Sequence, residues 1–138
     1  MRQIFVNLPV KNLERSKQFF SSLGFGFNPQ FTDPNAACMV VEKDSIHVML
    51  LTEPFFKTFT PRAIADAKSS TEVLVCLSCS SDQEVKDLVA KASKAGGKPA
   101  REPKDHGFMY EHAFEDPDGH IWELVHIKAV IPAKAGTQ

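Results

Sequence analysis

Ile4, Val6 and Leu8 alternate with Gln3, Phe5 and Asn7, a period of two that predicts a strand with one apolar face. The period then changes. Asn12 is placed to cap a helix in which Leu13, Ser16, Phe19, Phe20 and Leu23 share a face, and Gly24 closes it. Residues 25–36 are polar and broken by prolines, and no element is predicted there. Strands follow over residues 38–42 and 46–51, around the turn residues Lys43, Asp44 and Ser45. The order then returns. Val73, Val75 and Leu77 mark a strand, and Ser81 with Glu84 forms a capping box opening a helix whose apolar positions are Val85, Leu88, Val89 and Ala92. Gly96 and Gly97 end that helix, and after another polar stretch come strands over residues 108–114 and 120–126. Between these last two, Asp116, Pro117, Asp118 and Gly119 have the chemistry of a tight turn.

Leu8 and Leu77, Asn12 and Ser81, and Phe20 and Val89 are each separated by 69 positions, the mark of an internal duplication. The predicted fold is α+β: two tandem βαβββ modules forming curved mixed sheets around a cleft, with the helices on the outer faces. Neither copy alone carries much of a core. Residues 1–127 are expected to form a single domain, with module one at 3–51, a linker at 52–71 and module two at 72–127. Within the linker, Pro61 can start a short helix from Arg62 to Lys68; residues 128–138, without periodicity, are expected to be a loose tail.

Composition narrows the partners. Acidic and basic residues number 17 and 16, and no Lys or Arg stripe forms, so neither nucleic acid nor a membrane surface is indicated. No apolar run approaches a membrane span and no signal pattern opens the chain, so a cytoplasmic location is expected. Cys38, Cys76 and Cys79 are too few for a disulfide framework; Cys76 and Cys79 have redox spacing but fall on a strand, where they are expected to be plain core cysteines. Glu123 is the exceptional residue. Strand parity puts it on the face opposite Trp122 and Leu124, among apolar neighbours and with no evident cation, so it must be solvated, paired or bound to something.

The duplicated pattern, with Glu115-Asp116-Pro117-Asp118-Gly119-His120-Ile121-Trp122-Glu123-Leu124 closing the second copy, resembles the vicinal oxygen chelate superfamily. That group includes glyoxalase I, extradiol dioxygenases, fosfomycin-resistance enzymes and bleomycin-resistance proteins. The likeness spans residues 3–127, and its opening looks like Val10 to Ser16 followed by Phe19, Phe20 and Leu23-Gly24-Phe25. The resemblance implies a divalent metal in the cleft, held from the first and last strands of each copy. Carried over singly, those positions are Phe5, Met49 or Leu50, Leu74 and Glu123, of which only Glu123 is a ligand type. The family site looks dismantled. Glu111 and His47, which parity turns toward the cleft, can join Glu123 if zinc, nickel or manganese binds; otherwise no cofactor is expected.

Two readings follow from the resemblance. The first is a glyoxalase/bleomycin-resistance-like protein binding a small organic molecule in an apolar cleft, with Phe5, Asn7, Met49, Leu74, Met109 and Glu111 as the contact residues. The second is a glyoxalase I-like lyase or isomerase in which Glu123 is the general base and His47 assists. Either is expected as a homodimer. Dioxygenase chemistry is disfavoured, because the histidine positions hold Phe and Leu. The plain alternatives are a half-buried strand histidine for His47, a solvated edge residue for Glu111, and ordinary packing for Phe5, Met49, Leu74 and Met109.

Overall fold

A computed structural model describes residues 1–128 as two compact units, Met1–Ser70 and a second from Thr71 on. Each is a mixed sheet with a helix on one face, so the fold is α+β. Of the expected loose tail, residues 128–138, only Lys128 is among the described residues, its N–H donating to the Phe108 carbonyl.

In the first unit, strand β1 (Ile4–Val10) leads to helix α1 (Leu13–Ser22), then strands β2 (Gly26–Asp33), β3 (Ala36–Glu42) and β4 (Ile46–Thr52). The sheet order is β1-β4-β3-β2, with β1 and β4 parallel and the other pairs antiparallel. Asn12 caps α1 as expected, its side chain accepting from the Arg15 N–H at 3.0 Å. Gly24, at φ 101°, lets the Gly24 and Phe25 N–H groups turn back onto the Ser21 and Phe20 carbonyls. Buried Phe19, Phe20 and Leu23 join Leu8, Val10, Met39, Val48 and Leu50 in the core. Strand β2 falls where no element was expected. It is the outermost strand, half solvated, and an edge tolerates Pro29 and polar residues that a central strand would not.

The linker differs from expectation. Its helices are α2 (Glu53–Phe56) and a 3-10 turn at Lys57–Phe59, and the span from Arg62 to Lys68 is not helical. Pro54 occupies the first turn of α2, where its missing N–H costs nothing. Farther on, the Asp66 carboxylate accepts from the Lys68 N–H, and its carbonyl from the Ser69 and Ser70 N–H groups. That side chain makes a local turn in competition with helix.

In the second unit, strand β5 (Leu74–Ser78) precedes helix α3 (Asp82–Lys94), two short strands β6 (Lys98–Pro99) and β7 (Lys104–Asp105), and strands β8 (Met109–Glu115) and β9 (Ile121–Ile127). The order is β5-β9-β8-β6, with β7 also paired to β8. Ser81 caps α3 through the Glu84 N–H at 3.0 Å, while Glu84 reaches back to Ser80 rather than to Ser81. Buried Val85, Val89 and Ala92 pack with Phe114, Trp122 and Leu124. Cys76 and Cys79 are not core residues. Both are free thiols, Cys76 exposed and Cys79 half-buried, because β5 is an edge strand.

Candidate functional site

The turn from Asp116 to Gly119 sets the geometry of β9. One oxygen of the buried Asp116 carboxylate accepts from the Asp118 and His120 N–H groups at 2.9 and 3.1 Å, and the other from Trp122 Nε1 at 3.1 Å. Burial pushes the Asp116 carboxyl up from its ordinary value. Gly119, at φ 94°, completes the reversal by donating to the Asp116 carbonyl. With Trp122 thus pinned to the helix side, alternation brings Glu123 to the open side of the sheet.

Register identifies Glu123's neighbours on that face. Cys76 lies beside it on β5 and Ala113 on β8, with Glu111 one pair further along. Arg101 closes the group. Its Nη2 donates to Glu111 Oε1 at 2.7 Å and to Glu123 Oε2 at 3.1 Å, bridging the two carboxylates. His106 Nε2 lies 2.6 Å from the other oxygen of Glu111. Glu111 is accordingly held below the usual carboxylate range, first by His106 and then by the charge of Arg101. Burial, reinforced by Glu123 and Glu111, pushes the Cys76 thiol up. Arg101 Nη1 is buried and, among the described residues, has no hydrogen-bond partner. Leu74 is half exposed and Met109 half-buried on the same face.

Arg101 and His106 were not anticipated. The signal for Arg101 was slight: it is the sole arginine after Arg62. It lies in the gap between β6 and β7, where four residues on the edge, 100–103, stand against two on β8, 112 and 113, since Pro99 pairs with Phe114 and Lys104 with Glu111. Such an excess re-aims side chains.

In the first unit the open face carries Phe5, Asn7, His47 and Met49. Phe5 pairs with His47 and Asn7 with Met49, and the Phe5 and His47 rings stack at 4.6 Å and 12°. His47 is only 5% exposed; its Nδ1 lies 3.9 Å from Cys38 Sγ, and its Nε2 is buried without a hydrogen-bond partner among the described residues. Phe5 and Asn7 are exposed. The duplication resolves one ambiguity, because Glu123 stands two residues beyond the partner of Leu74, as Met49 stands two beyond the partner of Phe5. Met49, not Leu50, is the counterpart of Glu123.

The sequence profile of the Glyoxalase/Bleomycin resistance protein/Dioxygenase superfamily matches residues 2–124. The chain belongs to that superfamily. Among solved structures of similar fold, hypothetical protein SA1046 from S. aureus is 29% identical, with 90% of this chain and 92% of that one covered and a TM-score of 0.76. A glyoxalase-related enzyme from Fulvimarina pelagi is 21% identical over 90% and 87% of the two chains, with a TM-score of 0.74. The fosfomycin resistance protein FosX from Mesorhizobium loti is 12% identical over 96% of each chain, with a TM-score of 0.65. No curated protein matches the chain. Among the described residues no helix is long and apolar enough to cross a membrane.

Superfamily members often use a divalent metal. The donor set here does not fit one. Phe5, Met49 and Leu74 offer no hard donor, Glu123 is shared with Arg101, and among the described residues no three His, Cys, Asp or Glu side chains are placed to hold an ion. Of the expected set, Glu111 and Glu123 lie together in the second unit with Arg101 between them, and His47 lies in the first.

Proposed function

We propose that this superfamily member binds a small organic molecule on the open face of its second sheet, around Glu123, without a metal ion. The observation that supports this most is the buried Nη1 of Arg101, unpartnered among the described residues, beside two carboxylates and half-exposed Leu74. A buried N–H without an acceptor is costly unless something occupies it. Two glutamates against one arginine and one histidine leave the cluster no more than neutral, so the ligand is neutral or cationic and offers an acceptor oxygen to Arg101. Leu74 and Met109 supply the apolar contact that such sites use. The protein is expected to act as a cytoplasmic homodimer, which light scattering on the purified chain would check.

One observation favours a second reading. Arg101 sets a permanent positive charge beside Glu123, which suits a carboxylate acting as base next to a carbonyl whose oxygen gathers charge. In that reading the protein is a glyoxalase-like lyase or isomerase. A thermal-shift screen of neutral and cationic small molecules is expected to give saturable stabilisation that Glu123→Ala weakens; no hit, or hits indifferent to Glu123, would remove the binding reading. Turnover of a methylglyoxal–thiol adduct, lost in Glu123→Gln, would establish the second.

A further inference from the structure

We infer that Arg101 is a built-in replacement for a divalent cation: its guanidinium fills, in charge and in place, the position between Glu111 and Glu123 and keeps metal out. The inference deepens the ligand-binding reading, on which its functional meaning rests, but it stands on the geometry of three side chains.

A single nitrogen, Nη2, lies within 2.7 Å of a Glu111 oxygen and 3.1 Å of a Glu123 oxygen. Each of its two hydrogens serves one carboxylate. An ion seated at that point would need each oxygen to close by roughly 1 Å or less to reach the 2.0–2.2 Å of a zinc–carboxylate bond. The two carboxylates are thus spaced around a cation, and the cation is organic. A guanidinium holds its charge at every physiological pH and cannot be exchanged or chelated away. A divalent ion could enter only by displacing it, against like-charge repulsion at contact distance.

Third donors stand close by. His106 Nε2 is hydrogen-bonded to Glu111 Oε2, in the loop just before Gly107, whose φ of 86° makes a sharp corner. The Cys76 thiol, on the strand beside Glu123, is raised in pKa by burial first and then by both carboxylates, and so lies in their field. These groups do not converge on a metal with the guanidinium in place. Nη1, buried and unpartnered among the described residues, is then the donor left for an acceptor oxygen, the part a Lewis acid would otherwise play.

The test uses the full chain purified without chelator and titrates zinc, nickel and manganese chlorides by calorimetry, with circular dichroism to establish folding. Wild type is expected to bind none stoichiometrically. Arg101→Ala is expected to bind one ion about tenfold or more tighter than wild type, the gain being lost in the Arg101→Ala, Glu123→Gln double variant. Arg101→Lys, which keeps the charge, should behave as wild type. Stoichiometric binding by wild type, or a folded Arg101→Ala that gains nothing, overturns the inference. If Arg101→Ala does not fold, Arg101→Gln carries the same expectation. Because the probe is the metal alone, the outcome is independent of whether an organic ligand is found.

Discussion

Asp116 shows how much one side chain can set. Its carboxylate is buried, which by itself opposes the charged form, yet it accepts from two backbone N–H groups and from Trp122. Asp116→Ala removes the acceptor those three groups share and should cost about 2–3 kcal/mol, with Asp116→Asn intermediate; urea unfolding would measure both, and a neutral Asp116→Ala would show that the turn is held by other means. The aspartates and glycine of this turn were legible because each has a local task. So was the side of the sheet that Glu123 takes, since alternation is a property of the backbone. Its partner was not: Arg101 is 22 residues away, and only the folded edge strand brings the guanidinium across.

Among the elements, both helices were legible from their caps and apolar faces. Asn12→Ala and Ser81→Ala should each lower stability by about 1 kcal/mol, seen as a lower denaturant midpoint with an unchanged slope. A drop confined to one variant would mean that the other helix is held by packing alone. Strand β2 escaped notice because an outermost strand needs no apolar alternation. Its counterpart in the second unit, split into β6 and β7, escaped for the same reason, and with it the gap from which Arg101 reaches Glu111 and Glu123. The helix expected from Arg62 to Lys68 failed because proline licenses a helix start without compelling one, and Asp66 favoured a turn.

For the molecule as a whole, the pH dependence of stability should be set largely by the second unit. Three carboxyl groups there lie below their ordinary values of 4.5 for Glu and 3.8 for Asp: Glu111 chiefly through His106, Asp82 chiefly through His126, and Asp105 chiefly through the Gly107 N–H. A carboxyl group depressed on folding adds stability above its unfolded pKa and loses it as pH falls through the folded one. Thermal stability followed by circular dichroism should therefore change little down to about pH 4.5 and then decline modestly, since solvent screens these pairs, Asp116 opposing the trend because its shift is upward. Glu111→Gln should flatten the upper part of that fall. An unchanged profile would mean that the contact with His106 adds nothing. The duplication, visible in the 69-residue offsets, foretold the order of the strands but not that one open face would gather the charges while the other stacked a phenylalanine on a histidine.

Trp122 is the chain's sole tryptophan, fully enclosed beside Asp116 and adjacent in sequence to Glu123. Its emission is consequently an unlabelled optical gauge of the second unit. Tracked alongside an ellipticity signal that both units share, it would tell whether the two halves come apart in concert or in turn.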